Sequence, residues 1–169
     1  MNNETNQNGA AMLTEQTRNT IDHWVAKFPA DKKRSALIQS LMAAQEQNGG
    51  WITAELTEAV ADYLEVPPVW AHEVVSFYSM FFSKPVGRHK VNICTNISCW
   101  LNGADQLVEH AEKKLGVQLG GTTEDGRITL VREEECLAGC CGAPMAVVDG
   151  HYKENLDIEK LDVLLDGLE

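Results

Sequence analysis

Nothing in this 169-residue sequence approaches the roughly 18 consecutive apolar residues that a membrane-spanning helix needs. Its longest weakly polar run, 137–148, is broken by Gly139, Gly142 and Pro144. Residues 1–9 carry neither a basic stretch nor an apolar core, so no secretory signal is visible and a cytoplasmic, reducing setting is expected. Positive charge is scarce: 14 Lys and Arg against 25 Asp and Glu give a formal charge of −11. That balance argues against nucleic acid or an anionic membrane surface as partner. The 13 glycines form neither G-x-G-x-x-G nor G-x-x-x-x-G-K-S/T, so no nucleotide site is expected. C-x-x-C is absent as well, which disfavours thiol–disulfide exchange. No self-contained catalytic residues stand out.

Cysteine carries the signal instead. Cys94 and Cys99 form a C-x4-C pair, and Cys136 and Cys140 a C-x3-C pair. Five cysteines in a reducing compartment fit a disulfide framework poorly. Two close pairs of thiolates suit a tetrahedral sulfur cage, for zinc or for an iron–sulfur cluster. The fifth, Cys141, reads as a small packing residue. His23, His72, His89, His110 and His151 all lie outside the two cysteine loops, so a Rieske-type centre with histidine ligands is not expected.

Apolar periodicity divides the chain. Residues 1–13 are polar, without period, and are expected to be disordered. Ile21, Trp24, Val25 and Phe28 predict a helix from about Glu15. Leu37, Ile38, Leu41 and Met42 predict a second over about 32–47, stopped by Gly49-Gly50. Thr53 caps a third, and Pro67-Pro68 separates it from a fourth reaching about Tyr78. This helical bundle is expected over 14–83. From 84 to 169 the pattern becomes mixed: strands at 89–94 and 127–132, a helix of about 14 residues after Cys99, a hairpin around Asp149-Gly150, and a closing helix over 157–167. The order strand–helix–strand–strand–strand–helix predicts an α/β sandwich of the thioredoxin-like kind, making the whole chain α+β. Each cysteine pair would then follow a strand, and the two could meet at one edge of the sheet.

A 2Fe–2S centre takes two thiolates per iron, so one cysteine pair could serve each iron. Its anionic charge would gain from backbone N–H groups, which the glycines near Cys140 could bring close. Glu133, Glu134 and Glu135 precede Cys136. They are either negative charge that lowers the potential of a nearby cluster or a solvated strand end. Spacing alone leaves zinc open.

Beyond the cysteines, the chain shows Gly50-Trp51-Ile52, Phe77-Tyr78-Ser79-Met80-Phe81 with Lys84-Pro85-Val86-Gly87, and residues 119–126, Leu-Gly-Gly-Thr-Thr-Glu-Asp-Gly. It also shows Cys136-Leu137, Gly142-Ala143-Pro144-Met145 and Tyr152-Lys153-Glu154-Asn155-Leu156. Together these resemble the thioredoxin-like 2Fe–2S subunits (NuoE type) of NADH:quinone oxidoreductase, respiratory complex I, from about residue 15 to the end. The resemblance implies a helical bundle followed by a thioredoxin-like 2Fe–2S ferredoxin domain, with one cluster on Cys94, Cys99, Cys136 and Cys140. It implies a one-electron carrier beside an FMN-containing, NADH-binding flavoprotein subunit, with FMN and NADH on that partner and other peripheral-arm subunits nearby. The cluster would store electrons or tune the flavin, in a complex peripheral to the inner membrane. The equivalent subunit of an NAD-linked formate dehydrogenase or bidirectional hydrogenase is the alternative, and a structural zinc module a remote one. One departure stands out: family members more often read Leu-Gly-Ala after the third ligand, where this chain has Leu137-Ala138-Gly139.

Overall fold

Helix starts in the first half of the chain are set by short polar side chains that satisfy the free N–H groups of a first turn. The computed structural model describes residues 12–132 and 135–169. Thr14 opens α1 (Glu15–Val25), its hydroxyl accepting from the Thr17 N–H at 3.2 Å. The next segment departs from the sequence expectation. Ala30–Ala36 forms a 3-10 stretch with Lys32 at φ −120°, and α2 (Leu37–Gln47) begins only after it. No side chain caps α2, which explains why the sequence marks its start weakly. Its inner face is Leu37, Ser40, Leu41, Ala44 and Gln45, whereas Met42 is exposed; small residues let the neighbouring helices approach. Thr53 accepts from the Leu56 N–H at 3.1 Å and opens α3 (Ala54–Leu64). Pro68 occupies the first turn of α4 (Pro68–Phe77), where its missing N–H costs nothing.

These helices bury Ile21, Leu41, Ile52, Val60, Leu64 and Ala71 in one core. Leu13, inside the segment expected to be disordered, is buried there too, so order extends at least to that residue; residues 1–11 lie outside the described residues. Of the aromatics, Trp24, Trp51 and Trp70 are half-buried, while Phe77 is 76% exposed.

The chain divides into two units between Pro85 and Val86. The second is built on a four-stranded sheet in the order β2-β1-β3-β4. β1 (His89–Ile93) leads to α5 (Ile97–Leu101), α6 (Ala104–Leu115) and β2 (Ile128–Val131). β3 (Ala146–Val148), β4 (His151–Lys153) and α7 (Ile158–Asp166) follow. The single helix expected after Cys99 is two helices. Asn102 and Gly103, the latter at φ +89°, end one and start the other, and Cys99 lies inside α5 rather than at its start. β2 is buried along its whole length, Thr129 as well as Ile128, Leu130 and Val131. The Thr129 hydroxyl is satisfied by the Gly87 N–H at 2.6 Å and by Thr122 Oγ1 at 2.7 Å. Asp149 and Gly150, both at positive φ, close the β3–β4 hairpin. Packed against the sheet, Val91, Ile93, Leu107, Leu130, Val148 and Leu161 form this unit's core.

Topology places the cysteine loops. β1 and β2 pair in parallel, so the segments leaving their C-terminal ends emerge on the same side. β3 runs antiparallel to β1 and begins at that same end, with Ala146 opposite Ile93.

Candidate metal centre

Cys94 follows β1 directly and is 2% exposed; Cys99, one turn into the next helix, is 1% exposed. Asn96 caps that helix, its side chain accepting from the Ile97 N–H at 3.0 Å, and so turns Cys99 back toward Cys94. Both pack in a small cluster with Ala104 and Met145, against which Leu137, Ala143 and Val147 also rest. Leu137 comes from the second cysteine loop, so the two loops meet in this cluster. Burial pushes the Cys99 thiol up to about 11. A backbone hydrogen bond from Met145 opposes that rise, and the nearby Cys94 and Cys140 add to it. A free thiol here is held protonated; a cation would reverse that balance by favouring thiolate.

Cys136 and Cys140 are exposed, and their sulfurs stand 3.4 Å apart. That is far longer than a disulfide of about 2.05 Å. It is near the ~3.8 Å expected between two thiolates on one tetrahedral metal at ~2.3 Å. The Ala138 N–H donates to Cys136 Sγ at 3.4 Å. All five cysteines are free thiols. Among the described residues no three His, Cys, Asp or Glu side chains converge on a single ion. A mononuclear zinc cage needs four donors about one point, whereas a binuclear iron centre needs two at each of two points. Two thiol pairs, one sealed and one open, are the sulfur donors at this end of the sheet.

Segments to which local pattern assigns no role prove to be the scaffold of this site. The Cys94 N–H donates to the Met145 carbonyl at 3.0 Å. The Gly142 and Pro144 carbonyls accept from the Asn155 and Leu156 N–H groups at 2.7 and 2.9 Å. A Cβ on Gly142 would stand 2.6 Å from the Glu154 side chain, so only glycine fits there. The signal was the run Gly142-Ala143-Pro144-Met145, but its partner 154–156 is not apparent from local pattern. Cys141 is exposed rather than packed, correcting the sequence expectation. Of the acidic run, Glu133 and Glu134 lie outside the described residues.

Residues 21–169 match the model of the thioredoxin-like 2Fe–2S ferredoxin family. The chain belongs to that family. An iron–sulfur cluster is the group for which the family is named. An NADH-quinone oxidoreductase subunit of Rickettsia felis is 44% identical over 148 residues, 88% of either chain. Mitochondrial NADH dehydrogenase (ubiquinone) flavoprotein 2 of Dictyostelium discoideum is 37% identical over 92% of this chain and 63% of its own. Among solved structures, an NAD+-reducing NiFe-hydrogenase in the air-oxidized state superposes with a TM-score of 0.62 at 25% identity. That match covers 75% of this chain and 22% of the hydrogenase chain. No helix among the described residues is long and apolar enough to cross a membrane.

Proposed function

We propose that Cys94, Cys99, Cys136 and Cys140 hold one 2Fe–2S cluster, and that the chain is the one-electron-carrying subunit of the NADH dehydrogenase module of a quinone-reducing complex. The observation that carries the reading is the delivery of two free thiol pairs to the same end of the sheet, with Cys136 and Cys140 at metal-sharing separation. When bound, such a cluster accepts and returns a single electron. Around it, this chain's residues exclude water at Cys94 and Cys99 and direct backbone N–H groups from Ala138 and Met145 at sulfur. N–H donors toward sulfur stabilise added negative charge and raise a cluster's potential. The likeness to NADH-quinone oxidoreductase subunits supports placing NADH and FMN on a flavoprotein partner, in a complex anchored to the membrane through other subunits.

The hydrogenase reading has one observation in its favour, the structural match at TM-score 0.62. It is the weaker, because sequence identity reaches 44% with quinone-reductase subunits and 26% with the hydrogenase.

Anaerobic purification with iron, sulfide and zinc analysis, followed by electron paramagnetic resonance before and after dithionite, tests the cluster. Two irons and two sulfides per chain with a signal only on reduction are expected. A colourless zinc protein that resists reconstitution with iron and sulfide overturns it. Co-purification of an FMN-containing chain with quinone-reductase activity, rather than hydrogenase activity, tests the parent complex.

A further inference from the structure

Gly139 sits between Cys136 and Cys140 at φ −101°, a backbone conformation open to any residue. Its backbone therefore does not call for glycine, whereas the space beside it is taken up by the flexible end of Met145, which any larger residue would displace. A Cβ built there would stand 2.8 Å from Met145 Cε and 3.5 Å from Cγ and Sδ. One residue earlier the situation is reversed: Ala138 holds φ +62°, the left-handed region that favours glycine. This chain thus places its glycine where Met145 needs room and leaves an alanine where the backbone would prefer glycine.

Met145 is fully buried and reaches both cysteine pairs. Its carbonyl accepts from the Cys94 N–H at 3.0 Å, and its own N–H bonds toward Cys99. Its methyl group rests on Gly139 in the loop that carries Cys136 and Cys140. We propose that Met145 is the positioning residue of the metal centre, locking the sealed and open cysteine pairs to each other through its backbone on one side and its contact with Gly139 on the other. The proposal rests on the cluster reading above for its consequence, though not for its geometry. Met145 touches no reacting atom through its side chain; it acts by fixing where the thiolates stand.

The test is a double-mutant cycle in the full chain: wild type, Gly139→Ala, Met145→Leu, and both together. Leucine keeps the apolar volume but lacks the Cε atom that a Cβ at 139 would strike. In the apo protein the readout is the alkylation rate of Cys94 and Cys99, with thermal midpoint measured alongside. In the reconstituted protein it is the g-values and the reduction potential. Gly139→Ala is expected to raise the alkylation rate about tenfold, equivalent to about 1.4 kcal/mol of local opening. It should also shift the g-values and potential at unchanged iron content. Met145→Leu in that background should return both toward wild type. Additive effects of the two substitutions would overturn the contact. A fall in thermal midpoint with unchanged g-values, potential and alkylation would overturn the positioning role, leaving Met145 a core residue only. If wild type holds no iron or sulfide, the cluster reading fails, while the alkylation cycle still decides whether Met145 joins the two loops.

Discussion

Ala138 donates its N–H to Cys136 Sγ at 3.4 Å while holding φ +62°. The hydrogen bond and the strain are separable, since the torsions of Cys136 and Leu137 aim that N–H while the strain lies in the φ of Ala138 itself, beyond the N–H. An L-residue in this region costs about 1–2 kcal/mol, against roughly 0.5–1 kcal/mol for the extra freedom of glycine in the unfolded chain. Ala138→Gly is therefore expected to stabilise the protein by about 0.5–1 kcal/mol, read as a rise of a few degrees in the thermal midpoint. The g-values of the reduced protein should stay as they are, because the N–H remains in place. A lower midpoint would mean that the loop does not hold this turn in solution.

Serine in place of Cys94, Cys99, Cys136 or Cys140 exchanges a soft thiolate for a hard oxygen donor, and each variant is expected to lose or strongly perturb its iron. Cys141→Ser should keep the full iron and sulfide content, since that side chain is exposed and its neighbour Cys140 is the one beside Cys136. Metal analysis and absorption spectra of the five variants separate the two classes. Iron loss in the Cys141 variant would shift the fourth ligand by one residue.

His89 is tied at both ring nitrogens, to Asp149 Oδ2 at 2.7 Å and to the Glu169 carbonyl at 2.9 Å. The hydrogen bond to Asp149 raises its pKa above the ordinary 6.5, burial and Arg88 opposing and Glu169 assisting. A raised folded-state pKa adds stability that is complete below the unfolded value, about 6.5, and is lost as pH rises through the folded value. Stability measured by urea unfolding should thus decline from pH 6 to pH 8 relative to His89→Gln, which should lack that component. Parallel pH profiles for the two proteins would show that the pair does not carry it.

Gln45 is a buried amide that serves two backbone groups from a distant segment. Its Nε2 donates to the Met80 carbonyl at 3.0 Å, and its Oε1 accepts from the Phe82 N–H at 2.8 Å. Gln45→Leu strands both, at about 1–3 kcal/mol for each buried unsatisfied group. An overall loss of about 2–4 kcal/mol is expected, while the reduced-state spectrum of the second unit stays unchanged. A loss below about 0.5 kcal/mol, typical of surface substitutions, would mean that water replaces the amide.

What could be read from the sequence was local in origin. Thr53 as a helix cap, Pro68 in a first turn, the Asp149-Gly150 turn and the cysteine pairs each depend on residues within a few positions of one another. The break at Asn102-Gly103 escaped because apolar periodicity continues across it, and the late start of α2 because nothing caps it. In the candidate site the four cysteines were legible, and their unequal burial was not. That inequality comes from packing of Cys94 and Cys99 with Ala104 and Met145, of which Met145 arrives from a segment about 50 residues away, beyond the reach of local pattern. The family resemblance identified the segments that matter, but it did not reveal what Gly139 makes room for.

The parallel pairing of β1 with β2 gives the cysteine site a demand on the sheet. Val91 lies opposite Leu130, and both are fully buried. A slip of one residue along that pairing would displace Cys94 by about 3.3 Å and turn its side chain to the opposite face. The antiparallel pairing of β1 with β3 fixes the same strand end from its other edge, through the Cys94 N–H on the Met145 carbonyl. With Cys94 as a proposed ligand, metal capture would report on strand alignment: a chain that has bound iron there would also have passed a test that its sheet was assembled in the correct frame.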